Sequence, residues 1–534
     1  MSQTDDIFDV FVIGGGINGA GIFRDAAGRG YRVGLAEMND LASATSSAST
    51  KLFHGGLRYL EYFEFGLVRK ALAEREVLLE AMPHISWPMR FVLPVHSDMR
   101  FESNTPTSRL LVRAMPWLQG RRPRWLIRLG LFLYDQLGRR NLLPATSSLD
   151  LRTAVEGAPL NDQYEFAYEY SDCWVEDSRL TLLNVRDAAD KGGTVFVRTK
   201  VISVAAKDGI WEIKLRDIQG GTQLCRAKII VNAGGPWVED VAQNVMRLNA
   251  SGGIRLVRGS HIVTRKLFDH DKSYFLQGTD GRIMFAIPYE EDFTLIGTTD
   301  CEHANPNVRP TCSTAEIDYL IDFVNRYFRK TVTPADIVWT YSGVRPQYDD
   351  GAGSATAATR DYVMKLDVNG NAPALHVFGG KITTYRTLAE EALIKIDKAL
   401  DRHTRPWTAA ACLPGGDFAV SKREEWIEKL RARLPFLDDF TIRRLFRQYG
   451  THCWAIFEDI KTKEQMGIPF GHGVFACEVD WAVANEWVRC AEDFLWRRSK
   501  MGLRFTPCEA TALDTHIVDV TKKQRMMDSG TYQR

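Results

Sequence analysis

No two of the nine cysteines form a C-x-x-C pair, and nowhere does the chain run through about 18 consecutive apolar residues. The first absence, with the odd and scattered placing at 173, 225, 301, 312, 412, 453, 477, 490 and 508, argues against a disulfide framework and for buried thiols in a reducing compartment. The second leaves nothing to span a membrane. The opening MSQTDDIFDV is acidic and leads directly into a strand, which does not suit a secretory signal. Net charge is nearly absent too, with 68 basic residues against 67 acidic, so no global field favours nucleic acid. The histidines make no metal-ligand spacing with cysteines or carboxylates, and no metal is expected. Internal repeats and low-complexity segments are also lacking. These absences point to a cytoplasmic protein, with attachment to a membrane surface left open.

What is present is a chain of 534 residues, 45% apolar, long enough for two or three domains. Val10–Ile13 reads as a strand, Gly14-Gly15-Gly16-Ile17-Asn18-Gly19 as a tight turn, Ile17–Gly28 as a helix, and Arg32–Ala36 as a second strand ending at Glu37. Further strands are expected at Thr194–Val197, Trp211–Leu215, Lys228–Val231 and Ala374–Phe378. The last two run into Asn232-Ala233-Gly234-Gly235 and Gly379-Gly380-Lys381, and a helix then reaches about Leu400. The middle, about 252 to 345, is β-rich, with strands at Met284–Pro288 and Thr294–Gly297. Beyond 401 the pattern turns helical. Ser421 with Glu424 makes a capping box, Ile442, Leu445, Phe446 and Tyr449 keep helical spacing up to Gly450, and Trp481–Trp496 reads as another helix.

The first strand–turn–helix unit has a mechanical meaning. Gly14 permits the turn, Gly16 lets backbone approach a pyrophosphate, and Gly19 lets helix and strand pack closely. Free N–H groups at the helix start attract the phosphates, and Glu37 suits a ribose hydroxyl. An NAD enzyme would complete its nucleotide unit within about 150–200 residues. Here the unit is interrupted and resumed at 228–235 and 374–381, which suits the longer FAD. A helix beginning after Gly380 could stabilise negative charge on the reduced flavin.

At this point the motifs resemble a known family. Gly14–Gly19 continuing to Asp25 and Arg29-Gly30, and Gly379–Arg386 with Ala389, are similar to the two signatures of FAD-dependent (aerobic, respiratory) glycerol-3-phosphate dehydrogenases. The resemblance extends through Ala44–Lys51, His54–Leu60, Tyr170–Trp174, Arg258–His261, Ile296–Asp300, Tyr341–Pro346, Thr359–Tyr362 and, in the tail, Phe494–Arg498. Phe23 departs from the family's usual alanine, so a compensating small neighbour is expected. The resemblance implies an α/β fold: a Rossmann-like FAD-binding domain of the D-amino-acid-oxidase-like type, a β-rich substrate or cap domain, and a C-terminal helical domain. The division expected is 1–95, 160–250 and 346–400 for FAD, 96–159 and 251–345 for the cap, and 401–534 for the tail. It also implies oxidation of sn-glycerol 3-phosphate to dihydroxyacetone phosphate, with electrons passing to a membrane quinone. A soluble oxidase reducing oxygen and a non-catalytic FAD protein are the alternatives. The latter would have no need of cations at 58, 345, 360 and 381.

A phosphorylated alcohol needs cations for its dianion and a partner for the hydroxyl proton. Arginine binds two phosphate oxygens at once. By similarity, Arg58 with Tyr59 and Arg360 are assigned to the phosphate, and Lys381 to both substrate and flavin. Arg345, His261 and Lys381 are placed around the reacting hydroxyl. Neutral imidazole suits a base, whereas Arg345 suits stabilisation of a developing alkoxide. Toward the cofactor, His54 with Gly55 and Gly56 is assigned to the isoalloxazine, Ser46, Ser47 and Ser49 to the diphosphate or flavin ring, and Gly234, Gly380 and Thr383 to the resumed turns.

Between residues 99 and 140 stand nine arginines (100, 109, 113, 121, 122, 124, 128, 139 and 140) against Glu102 and Asp135. Trp117, Trp125, Leu126, Ile127, Leu129, Leu131, Phe132 and Leu133 interleave with them. An amphipathic helix lying on anionic lipid fits, on the inner face of the cell membrane; a solvated basic face is the plainer alternative. The helical tail suits homodimerisation, partner docking or simple stabilisation, and the sequence does not choose.

Overall fold

A computed structural model describes residues 7–97, 99–100, 105–115, 121–138, 141–248, 253–278, 281–349, 361–369 and 371–528. Arg360, Trp117, Arg139 and Arg140 therefore lie outside the described residues.

Strand Ile7–Ile13 is the centre of an eight-stranded sheet. Its parallel neighbours are Val33–Glu37 and Thr222–Asn232, followed by Thr194–Val197 on one side and Ala372–Phe378 on the other. Its side chains alternate between two cores, as the strand period requires. Val10 and Val12 pack with Ala20, Ile22 and Phe23 of helix Ile17–Gly28 and with helices Asp177–Asp190 and Tyr385–Ala399. Phe11 and Ile13 face Trp211, Ile213 and Leu215 of an antiparallel layer. The bulky Phe23 is fully buried, and its small neighbour is Gly193, where an added Cβ would meet the ring at 2.6 Å.

The second sheet has ten strands. Gly253–Arg265 pairs along nearly its whole length with Ile337–Asp349, setting His261 opposite Tyr341 and Val257 opposite Arg345. Helix Thr314–Asn325 covers one face; the other is an aromatic core that includes Phe91, Tyr170, Phe275 and Tyr341. Strands Ser86–Pro94 and Phe166–Val175, expected in the FAD unit, belong to this sheet. Cross-strand aromatics decide it. Phe91 stacks on Tyr170 at 5.4 Å and meets Phe285 edge-on at 5.8 Å.

The tail is helical, with helices Arg423–Arg433, Asp439–Tyr449, Ala476–Asn485 and Pro507–Asp528 around two cores. Gly450 ends the second of these at φ +54°. Two local expectations fail. Ser421 does not cap: it lies in a short turn before the helix, while Glu424 is drawn to Arg443. The helix expected over Trp481–Trp496 stops at Asn485, because the buried Glu486 turns to bind Arg179 at 2.7 Å and Trp487 adopts φ +55°. The chain then resumes as a wide π-helical turn, Asp493–Arg498.

Charged pairs dock this tail. Besides Arg179–Glu486, Arg498 binds Asp40 at 2.9 Å and Arg198 binds Asp493 at 2.7 Å. Breaking one partner of such buried pairs costs on the order of 3–5 kcal/mol. Of the cysteines, 173, 225 and 453 are buried, but 412 and 508 are exposed, so the expectation of buried thiols holds only in part. Among the described residues no helix is long and apolar enough to cross a membrane.

Candidate active site

The carboxyl ends of the first sheet's parallel strands open into one groove. Gly14, Gly16, Ile17, Asn18, Glu37, Ser46, Gly234 and Gly380 all line it, so eight of the residues assigned to the cofactor come together. Gly14 turns at φ +110°, and a Cβ there would lie 2.5 Å from the Ala233 carbonyl oxygen. A Cβ on Gly19 would lie 2.0 Å from the Gly14 carbonyl oxygen, so only glycine allows the helix to start so close to the strand. Ser46 reaches over the turn and its Oγ accepts the Ile17 N–H at 2.9 Å. The Glu37 carboxylate accepts the N–H groups of Gly15 and Asn39, both at 2.8 Å, and burial raises its pKa. Gly15 thus backs the groove through Glu37. Asn18 donates to the Gly379 carbonyl at 2.9 Å, joining the first Gly-rich turn to the resumed one. Its Oδ1 is buried and makes no hydrogen bond with the described residues. Thr199–Val201, Met38, Asn39, Ala42, Ser43 and Pro346 also line the groove; of these only Pro346 lies in a motif, and only the strand ends around the others could have pointed to them.

The segment 45–59 leads from this groove to the other assigned residues. Ser47 and Ser49 turn away from the cofactor assignment. Ser47 Oγ donates to Ala44 O, and Ser49 donates through N–H and Oγ to Asp177 at 3.1 and 2.8 Å. Lys51, left without a role by its motif, is wholly buried. Its ammonium donates to Asp177 at 2.7 Å and to the Ser47 carbonyl at 3.1 Å. Burial opposes ionisation of Asp177, but the cations Lys51 and Lys500 outweigh it and hold the carboxyl below the usual range.

Further along, Gly55 N–H donates to the Tyr134 hydroxyl at 2.7 Å, and that hydroxyl donates on to Asp172. Gly56 opens the turn Leu57–Tyr62 that carries Arg58 and Tyr59. Lys381 stands with its ammonium 4.0 Å above the Tyr59 ring, buried, and with no hydrogen-bond partner among the described residues. His54 N–H donates to Thr383 Oγ1 at 3.4 Å. Burial lowers the His54 pKa, and the Lys381 cation adds to it.

His261 reaches the same segment from the second sheet. Its Nε2 pairs with Thr50 Oγ1 at 3.0 Å, and its ring lies stacked on Tyr341 at 4.7 Å. Burial, reinforced by Lys51 and Arg345, pushes its pKa down to about 3. Its Nδ1 is buried and makes no hydrogen bond with the described residues, leaving a lone pair if Nε2 carries the proton. Arg345 binds the Thr299 carbonyl at 3.1 Å and the Asp300 carboxylate.

The segment 45–59 therefore touches His261 through Thr50 and Lys381 through Tyr59. The groove suits a dinucleotide by its glycine turn and helix start. Lys381, His261 Nδ1 and Asn18 Oδ1 are three buried polar atoms suited to a bound group.

Residues 9–386 match the family described as FAD dependent oxidoreductase, and residues 407–530 match the C-terminal domain of alpha-glycerophosphate oxidase. The chain is 47% identical to the D-erythritol 1-phosphate dehydrogenase of Brucella abortus, over 94% of this chain and 96% of that one. It is 43% identical to the aerobic glycerol-3-phosphate dehydrogenase of Escherichia coli, over 98% and 99%. Its fold matches the glycerol-3-phosphate dehydrogenase of Bacillus halodurans, solved with FAD, at a TM-score of 0.70 and 24% identity over 97% and 95%.

Proposed function

The chain belongs to the family of FAD-dependent glycerol-3-phosphate dehydrogenases, and on that premise we propose that it oxidises sn-glycerol 3-phosphate to dihydroxyacetone phosphate and hands the electrons to a membrane quinone. FAD, when bound, supplies the acceptor for the hydride leaving C2. The observation that carries the proposal is the buried Lys381 ammonium, which meets a ring face and no anion of the protein among the described residues. A buried cation left in that state is stabilised by an anionic ligand. Arg58 and Tyr59, on the turn beside it, and Arg360 take the phosphate. Arg345 stabilises the alkoxide as it develops. His261, neutral through the physiological range, accepts the hydroxyl hydrogen bond at Nδ1 and takes that proton as the hydride leaves C2.

The 47% identity to a D-erythritol 1-phosphate dehydrogenase supports a second substrate, a four-carbon polyol phosphate with the same anion and the same kind of reacting alcohol. Attachment to an anionic membrane is supported by helix Arg124–Leu137. Trp125, Leu129 and Phe132 point outward from it, 54%, 44% and 48% exposed, at helical spacing. The exposed Phe63 and Phe65 follow a turn that packs on the same helix, and Arg121 and Arg128 are exposed nearby in the chain. Arg122, expected among the lipid-facing cations, instead pairs with Glu61 at low exposure.

The test is anaerobic bleaching of the flavin by glycerol 3-phosphate, erythritol 1-phosphate and plain glycerol, followed by reoxidation. Fast bleaching by a phosphorylated polyol but not glycerol, with reoxidation by quinone in anionic vesicles, is expected. Replacing Trp125, Leu129 and Phe132 with Glu should leave bleaching intact and abolish vesicle co-sedimentation. Equal bleaching by glycerol would sink the cation assignments, and reoxidation by oxygen alone would make the protein an oxidase.

A further inference from the structure

The helical tail reaches the His261 face of the site by two routes, both from one short segment. The π-helical turn Asp493–Arg498 is pinned at its start by Asp493 on Arg198 and at its end by Arg498 on Asp40, three residues beyond Glu37. Wide turns of this kind re-aim side chains that a regular helix would stack. Here the re-aimed side chain is Trp496; Lys500 follows two residues past the turn, at φ +57°.

The first route is aromatic. Trp496 stacks on Trp339 at 4.3 Å, Trp339 meets Tyr341 at 4.8 Å, and Tyr341 lies on the His261 ring at 4.7 Å. Two strands of the second sheet carry the inner members, so the stack crosses from the tail to the site without a gap. The far face of His261 has no slack either, since a Cβ on Gly297 would lie 2.1 Å from its ring. A ring held on both faces keeps one orientation.

The second route is ionic. Lys500 is buried, and its ammonium donates to Ser178 Oγ at 3.3 Å. Ser178 N–H donates to the same Asp177 carboxylate that binds Lys51 and Ser49, and Thr50 between those two meets His261 Nε2. The routes join at the segment 45–59, because the Tyr341 hydroxyl donates to the Ser49 carbonyl at 2.8 Å and the Lys51 ammonium lies 5.3 Å over the Tyr341 ring. Burial, reinforced by Lys51, lowers the Lys500 pKa to about 8, while the carboxylates of Asp177, Glu176 and Glu290 oppose that fall.

We propose that Trp496 and Lys500 are positioning residues for the oxidation step: the tail holds the His261 ring and the Thr50 hydroxyl in register, one through the stack and the other through Ser178, Asp177 and Lys51. This rests on the proposed oxidation of a polyol phosphate at the same site. It gives the helical tail a part in the chemistry without any contact to substrate. Displacement of a reacting group by about 1 Å can slow a reaction by about a hundredfold, so partial loosening should cost roughly tenfold.

The holoenzyme variants Trp496→Leu, Trp496→Phe and Lys500→Met are compared with the parent in two measurements. One is anaerobic bleaching by glycerol 3-phosphate across concentrations, with bound FAD quantified. The other is hydrogen exchange of the backbone amides of 47–56 without substrate. Trp496→Leu and Lys500→Met should slow saturated bleaching about tenfold, move half-saturation less than about threefold, retain FAD, and speed exchange in 47–56 alone. Trp496→Phe should recover most of the rate, because a ring still fills the stack. Parental bleaching, a change confined to half-saturation, loss of FAD, or exchange raised equally in strand Ile7–Ile13 each overturns the proposal. If the parent itself is not bleached by a polyol phosphate, the substrate proposal fails, and the exchange measurement still decides whether the tail orders 47–56.

Discussion

At the glycine-turn end of the groove the lining is largely backbone: the turn Gly14–Gly16, the start of helix Ile17–Gly28 and the resumed turn at Gly379–Gly380, tied together by Asn18 and Glu37; there we propose the pyrophosphate binds. At the Lys381 end, past the residues that line the groove, the surface is side chains, brought in from the segment 45–59, two paired strands of the second sheet and the residue after a glycine pair. The first end depends on the room that glycines leave. The second depends on charge around His261, with the Lys51–Asp177 pair held out of water and the Arg345–Asp300 pair at the half-exposed rim. Damage to the first should therefore abolish binding, while damage to the second should slow chemistry on a cofactor still in place.

The largest effect expected follows from the first half of that contrast. Gly16→Val puts branched carbon where even a Cβ would stand 3.2 Å from Ser46 Oγ, in the path of a phosphate. The purified variant should be colourless and release no FAD on denaturation. A yellow variant with parental turnover would mean that the turn is not the point of closest approach.

The next effect belongs to the second end. Lys381→Ala should keep FAD and slow flavin bleaching by about a thousandfold, since the proposed site sets this buried cation on the reacting centre, where it acts on developing charge. Arg58→Ala should act on affinity, raising the half-saturating concentration roughly 10- to 100-fold with less change in the maximal rate, as charge-assisted phosphate bonds of about 1.5–3 kcal/mol imply. If Lys381→Ala lost FAD as completely as Gly16→Val, the distinction between the ends would collapse.

The two ends also differ in how far residues alone foretell them. Helix Ile17–Gly28 and strand Thr194–Val197 fall where their periodicity places them, and Gly14 and Gly19 do what their spacing requires, because a βαβ turn is local in the chain. The Lys381 end is not local. His261 and Lys381 were reached through resemblance, but Lys51, Asp177, Trp496 and Lys500 had no assigned role, because a buried lysine is legible only once its carboxylate, 126 residues away, is known. For the same reason the motif assigns Ser49 to the cofactor, whereas its hydroxyl donates to Asp177. Strands Ser86–Pro94 and Phe166–Val175 fall in the second sheet rather than the first because the aromatic ladder that claims them is formed across the fold. The pattern predicts a helix over Trp481–Trp496, whereas the helix runs Ala476–Asn485, because Glu486, a good helix former, is spent on Arg179.

The smallest effect tests whether the charges at the Lys381 end are set before any ligand arrives. The His261 pKa in the folded chain is about 3, because burial, Lys51 and Arg345 disfavour the imidazolium. An unfolded histidine titrates near 6.5. As pH falls through about 6.5, the unfolded chain takes up a proton that the folded chain refuses, so stability is full above that value and is lost progressively toward pH 3. At pH 5.5 the loss from this one residue is about 1 kcal/mol, and at pH 7.5 it is close to zero. Other buried histidines, His84 and His376 among them, add losses of the same sign, so the signal lies in a difference. His261→Asn keeps a polar group near Thr50, a non-titrating amide smaller than the ring. Its unfolding temperature relative to the parent should therefore improve between pH 7.5 and pH 5.5, by on the order of 1 °C for a chain of this length. A parallel pH dependence in the two proteins would mean that His261 is not held neutral by Lys51 and Arg345, and that the electrostatics of this end are completed only by what binds there.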